Sequence, residues 1–241
     1  MDQKLHDTYR RIENEHWWFV GRRKILFDLL KKHSAPVNSI LDVGCNTGVL
    51  VRALQERGHD AYGTDLSSDA IEYGKAHGVA NLQLADGVRQ PFPDGMFDCV
   101  LALDVIEHID DDGAALKEMM RVLKPNGLLI IKVPAYQFLW GVQDDVSQHK
   151  RRYTKKSLQA LMSSVQLEVL RCSYFNTFLF PPIALIRLIQ RIIPPKRTSD
   201  FDLNNPTVNE ILKRMFLFEA QLLNQTNFPF GVSLLLVSRK T

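Results

Sequence analysis

The 241-residue chain is poor in cysteine: it has three, Cys45, Cys99 and Cys172, and no two form a C-x-x-C pair. That argues against a disulfide framework or a cysteine-built zinc site, and for a reducing compartment. No apolar run reaches the roughly twenty residues that cross a bilayer. The best candidate, within 174–197, is interrupted by Pro181-Pro182 and by Arg187 and Arg191. The opening MDQKLHDTYRR is polar and charged, unlike a signal peptide. Repeats and low-complexity tracts are missing, and a net charge of +3 is too small to imply nucleic acid. These absences leave a cytoplasmic α/β domain with insertions, long enough for a large core.

The most informative stretch is ILDVGCNTGVLV at 40–51. An apolar run ends in Asp42, a turn of small residues follows, and a helical pattern begins at once. That is a buried strand passing to a helix through a tight loop, with Gly44 and Gly48 letting a ligand lie against bare backbone. The G-x-x-x-G spacing differs from the G-x-G-x-x-G of dinucleotide sites. Asn46 stands where a further glycine is often found, and Asn tolerates a left-handed backbone better than most residues. The carboxylate of Asp42 would repel a pyrophosphate and attract an ammonium group. The ligand expected here is therefore adenosine-like, cationic and free of phosphate, and S-adenosylmethionine fits.

Later segments add acids at strand ends. A strand at 61–64 stops at Asp65, about twenty residues past the turn, where a carboxylate can accept from ribose hydroxyls; it can equally cap the helix that follows. A strand at 82–84 leads to Asp86-Gly87, and Asp86 can accept from an adenine amino group. A nearly continuous apolar strand at 97–103, ending in Leu103, reads as buried on both faces. Asp104, Glu107 and His108 gather where it ends, outside the carboxyl end of a strand, where open α/β sheets bind ligands.

In these pieces the chain resembles the class I S-adenosylmethionine-dependent methyltransferases. ILDVGCNTG, the acid in YGTDLS, the acid in LADG, PFPDGMFDCVLALDVIEHI and LKEMMRVLKPNGLLIIKVP follow one another across about 40–134. The departure is Asn46, where the family usually has glycine. The resemblance implies a Rossmann-like, seven-stranded, mostly parallel sheet in the order 3-2-1-4-5-7-6, with an antiparallel last strand and helices on both faces. It also implies S-adenosylmethionine as methyl donor and S-adenosylhomocysteine as product. The residues expected at the cofactor are Trp18, Arg23, Asp42, Gly44, Cys45, Asn46, Gly48, Asp65, Leu66, Asp86, Gly87, Leu103, Asp104 and His108. One domain spans 1–241: a helical lid at 1–36, the core at 37–174, a helical insertion at 175–230 and a closing strand at 231–241.

The flanks bear on the acceptor. In EHWWFVGRR, 15–23, three adjacent aromatics cannot share one helix face, which suits a lid that keeps water from the sulfonium. Ubiquinone-type O-methyltransferases place an arginine at a similar distance before the glycine turn, which selects Arg23 over Arg22 for the methionine carboxylate. The loop PAYQFLWGVQDDVSQHKRRY, 134–153, supplies Tyr136, Trp140, Arg151, Arg152 and Tyr153 for an anionic or sugar-like acceptor. His149, with Asp104, is the expected general base for a hydroxyl. Asp104, Glu107 and His108 also have a spacing similar to the E-x-x-E-H magnesium site of ubiquinone-biosynthesis and small-RNA O-methyltransferases, where His149 would be a further ligand. Many members without metal carry a similar Glu-His-Ile, and no metal is assigned. From 183 a helix with Arg187 and Arg191 on one face suits a membrane surface, a lid over a lipid-like acceptor, a dimer contact or a buried cap.

The expected activity is O-methylation of a small or lipid-linked acceptor, in the cytoplasm or peripherally at the inner membrane surface. Methylation of a protein lysine or N-terminal amine, a non-catalytic cofactor-binding scaffold and an NAD-dependent oxidoreductase are the competing readings. Asp42 and the turn spacing weigh against the last.

Overall fold

Alternating burial along the strands builds the architecture. The computed structural model describes residues 12–32, 37–192 and 205–241. In the central strands β1 (Ser39–Val43), β4 (Phe97–Leu103) and β5 (Leu123–Pro134), almost every side chain is buried, as parallel strands covered on both faces require. Successive residues point to opposite faces. Ile40, Leu101 and Ile130 therefore enter one core layer with Ile25, Leu29 and Phe216. Leu41, Val100 and Leu129 enter the other with Leu116, Met119 and Leu158.

With β2 (Asp60–Asp65), β3 (Leu82–Leu84), β6 (Leu167–Phe175) and β7 (Ser233–Lys240), the sheet has the order β3-β2-β1-β4-β5-β7-β6. β7 runs antiparallel between β5 and β6, and the pairings from β3 to β5 are parallel. This is the expected order. Strand order reverses between β1 and β4, so a crevice opens outside their carboxyl ends. β5 starts earlier than the sequence suggests. Leu123 pairs with Phe97 before the turn at Asn126, whose φ is 62°, and the ladder resumes at Cys99 and Leu128.

The helices follow from their caps. α1 (Trp17–Lys32) lies beside the sheet, and Gly48 opens α2 (Val49–Gln55) with φ 77°. Ser67, and not Asp65, caps α3 (Ser68–Ala76), because its hydroxyl accepts from the N–H of Ala70. α4 (Asp112–Val122) and a short α5 (Val142–Val146) precede α6 (Lys155–Met162), which Thr154 caps as its sequence predicts. In the insertion, α7 (Phe180–Ile192) and α8 (Pro206–Gln225) are linked by Glu219 of α8, which accepts from the N–H groups of Thr177 and Phe178.

α7 turns its apolar side chains outward, unlike a buried cap with snorkelling arginines. Arg187 is buried against Gly141, while Leu185, Ile186, Leu188 and Ile189 are exposed. The Arg191 side chain, residues 1–11 of the expected lid and 193–204 of the insertion lie outside the described residues.

α1 and α8 meet without a gap at Gly21, where an added Cβ would sit 1.9 Å from the Phe216 ring. Gly21→Ala should therefore destabilise the protein by about 1–3 kcal/mol through overpacking. Urea unfolding measures this, and an unchanged midpoint would show that the two helices are not tightly seated.

Candidate active site

The site is assembled where β1, β2 and β4 end. After β1 the backbone turns through Gly44 at φ 72° and Asn46 at φ 50°. Asn46 thus takes the left-handed shape that glycine would otherwise supply. A Cβ on Gly44 would approach Val105 to 2.5 Å. Asp65 fixes the turn: one carboxylate oxygen accepts from Asn46 N at 2.8 Å and the other from Ser67 N at 2.9 Å. A carboxylate has about four acceptor positions, so Asp65 keeps two for a ligand.

A cavity of about 570 Å³ adjoins this turn, within the range of small-molecule sites. Its walls include Gly44, Asp65, Leu66, Asp86, Gly87, Asp104 and His108 from the expected set, with Val105, Ile109 and Lys150. Asp42 lies beneath the turn, almost wholly buried. Burial pushes its carboxyl up to about 7, against the opposing pull of Arg22. The Cys45 thiol packs toward Gly63, and Gly48 lies against Leu82 and Val79, so these two shape the turn without lining the cavity. Leu103 is core.

A charged cluster closes the β4 side. Asp104 has φ 62° at the strand end. Its carboxylate is gripped by Lys132 of β5 and by Arg22, the latter at 3.0 Å. Burial pushes the Asp104 carboxyl up, but these two cations outweigh it and hold it below the ordinary range. Burial lowers the Lys132 ammonium, which lies 4.4 Å over the Trp18 ring. Trp18 itself stacks on Phe175 and Phe216, so it supports the cluster and does not face the cavity. The two neighbouring arginines of α1 make different contacts. Arg23 donates to the carbonyls of Glu13 and Asn14, and its neighbour Arg22 points to the site.

The acceptor loop is also rearranged relative to expectation. Arg151 bonds to the Asp110 carbonyl and pairs with Asp112. Arg152 pairs with Asp144, the Tyr153 hydroxyl donates to Asp112, and Trp140 donates to Asp145. Four expected acceptor contacts are thus engaged inside the protein. Tyr136 stacks on Tyr174 and begins an aromatic row through Phe138 and Phe180 to Phe230. His149 packs edge-on against His108, with ring centroids 4.7 Å apart.

The metal alternative regroups as well. Ligand atoms of Glu107, His108 and His149 lie within 4.8 Å of one another, whereas Asp104 is taken by its two cations. Glu107 is fully buried, and among the described residues its carboxyl oxygens accept no hydrogen bond. Burial and the charge of Asp104 push its carboxyl well up. A carboxyl and two imidazoles are donors that suit a divalent ion. Lys132 escaped the sequence reading, although a lone cation inside LLIIKVP was a usable signal.

A sheet of this order, with an acid-lined cavity at its switch point, defines a Rossmann-like fold of the methyltransferase type. Residues 41–131 match the methyltransferase domain family. The chain is similar to the ubiquinone biosynthesis O-methyltransferase of Bradyrhizobium diazoefficiens, 36% identical over 96 residues, 38% of this chain and 38% of that protein. It is also similar to the norajmaline N-methyltransferase of Rauvolfia serpentina, 28% identical over 131 residues, 51% of this chain and 45% of that one. The chain thus spans less than half the length of either relative. In fold it matches a solved S-adenosylmethionine-dependent methyltransferase from Archaeoglobus fulgidus, with TM-score 0.59 and 17% identity over 97% of this chain and 99% of that one.

Asp144 gives the site an acid-sensitive element. Burial pushes its carboxyl up, but His149 and Arg152 outweigh burial and hold it at about 2. The ionised form therefore stabilises the fold above the ordinary aspartate value. That contribution fades as pH falls from about 4 toward 2 and amounts to about 2 kcal/mol. Urea unfolding through this window should show the loss in the wild type and not in Asp144→Asn; parallel curves would remove the assignment.

Proposed function

We propose that this chain is an S-adenosylmethionine-dependent O-methyltransferase for a small or lipid-linked hydroxyl acceptor. The observation that carries this reading is the cavity at the ends of β1, β2 and β4, walled by bare Gly44 backbone and by Asp65 and Asp86. Asp65 would accept from ribose hydroxyls and Asp86 from the adenine amino group. Asp42 would provide negative charge for the ammonium, and Arg22 would serve the methionine carboxylate in place of Arg23. The donor, when bound, supplies an already activated sulfonium methyl. The protein's own work is alignment and water exclusion. In this reading α1 is the lid, and the insertion caps the acceptor.

A hydroxyl acceptor must lose a proton, and His149 is the base we assign. It stands behind His108, a wall residue of the cavity. Asp104, held by two cations, is reassigned from base to electrostatic support. The relative named as an N-methyltransferase makes nitrogen the second acceptor reading. Among the described residues no helix is long and apolar enough to cross a membrane. The exposed Leu and Ile side chains of α7 support peripheral contact with the inner membrane surface, where a lipid-linked acceptor would be met. Flotation with anionic liposomes tests this, and a protein that stays at the bottom would confine the acceptor to solution.

Calorimetry with S-adenosylhomocysteine should show binding, and NADH should show none; the reverse would overturn the cofactor assignment. Asp65→Ala should weaken S-adenosylhomocysteine binding by about 10–100-fold. Thermal unfolding of the unliganded variant separates a lost contact from a disturbed turn.

Asp42 yields a further check. Burial holds its carboxyl up at about 7 even with Arg22 pulling it down. An ammonium group would favour the carboxylate. Binding at about pH 6 should then release close to one proton, and at about pH 8 Asp42 should release almost none. Calorimetry in buffers of different ionisation enthalpy reads this, and release that persists in Asp42→Asn would exclude Asp42.

A further inference from the structure

The acceptor loop contains a buried ionic cluster beyond what a loop needs. The Asp144 side chain is fully buried, and its carboxylate takes four hydrogen bonds. One oxygen accepts from His149 Nδ1 at 2.7 Å and Arg152 Nε at 2.8 Å. The other accepts from Gly141 N at 2.7 Å and Arg152 Nη2 at 2.9 Å. These bonds fill every acceptor position a carboxylate has. Arg152 is anchored in turn, donating through Nη1 to the Ala135 carbonyl at 3.0 Å. The His149 backbone is held on both sides, by His149 N to Asp144 O and by Lys150 N to Glu107 O, both at 2.9 Å.

A buried ion pair is a poor way to stabilise a fold, because apolar residues of similar volume often do as well or better. What this one provides is a fixed imidazole. Neutral histidine carries one N–H, and the partner of one ring nitrogen decides which nitrogen keeps the proton. A full carboxylate facing Nδ1 can only accept, so the proton belongs on Nδ1 and the lone pair on Nε2.

We propose that Asp144, clamped by Arg152, is the positioning residue that holds His149 in the Nδ1–H tautomer, with Nε2 free to take the acceptor's proton. This rests on the reading of His149 as the base. In the transfer the acceptor O–H bond breaks and its proton goes to Nε2. The acceptor oxygen bonds the methyl carbon, and the carbon–sulfur pair returns to sulfur. The positive charge lost from sulfur reappears on an imidazolium 2.7 Å from the Asp144 carboxylate, which stabilises it. Arg152, expected from sequence to meet the acceptor, instead keeps that carboxylate in place.

The test is nitrogen-15 NMR of the histidine side chains in the full chain without ligand. Spectra are recorded about two pH units above the ordinary imidazole value, where the ring is neutral. His149→Gln assigns the resonance. The expected result is an Nδ1–H, Nε2-lone-pair pattern for His149 in the wild type, replaced in Asp144→Asn by the other tautomer or a mixture. An Nε2–H pattern in the wild type overturns the proposal without requiring any variant to fold. An unchanged tautomer in a folded Asp144→Asn overturns it as well.

Turnover on a catechol probe separates this proposal from the reading beneath it. Asp144→Asn should lower kcat by about a hundredfold or more, with little change in KM for the donor. If His149→Gln retains full kcat, the base reading fails while the tautomer result still decides the role of Asp144.

Discussion

The site depends on one carboxylate that joins two turns. Asp65 ends β2, and its two oxygens bind Asn46 N beyond β1 and Ser67 N before α3. Neither turn has another side chain that could do this from the sheet edge. The glycine turn keeps its left-handed backbone because Asp65 satisfies an N–H that would otherwise face the cavity unpaired. The same carboxylate also forms part of the cavity wall. The sequence allowed Asp65 to be a ligand acid, a helix cap or both; its contacts tie the two turns together, and Ser67 is the cap.

A second constraint is electrostatic. Lys132 sits within the buried apolar run of β5 that begins at Leu128, and Asp104 at a strained strand end, and each makes the other tolerable. Arg22 adds a second cation, and Trp18 covers the ammonium with its ring face. Removing the acid would leave Lys132 and Arg22 facing each other without the carboxylate between them, the costly case for buried ions. The cluster also explains why Asp104 is a weak proton acceptor, and why Glu107 and the imidazoles behind it offer the chemically open atoms.

Much of the fold was legible because central parallel strands are written as continuous apolar runs. β1, β3 and β4 fall on their expected residues. The early start of β5 was not legible, since LKPNG looks like a turn and only pairing with Phe97 makes its first residue a strand. Site legibility followed locality. Asp65, Asp86 and His108 stand beside strand ends, and their place follows from the chain's own geometry. Arg22 and Arg23 are neighbours on a helix, so they point about 100° apart, and spacing alone could not tell which would reach Asp104. Arg151, Arg152 and Tyr153 read as ligand contacts because their partners, Asp112 and Asp144, are brought to them by tertiary structure.

The seam at Gly21 makes several parts of the molecule a single lever. Phe216 fills the space beside Gly21 and stacks on Trp18. Three residues further along α8, Glu219 holds the backbone that leads into α7. Any displacement of α1 must repack Phe216, load α8 and pull on the base of α7, whose Leu and Ile side chains face outward. A body resting on that outer surface would stiffen the lever from its far end. The seating of α1 on the sheet would then answer to what α7 touches, at a distance from any direct contact.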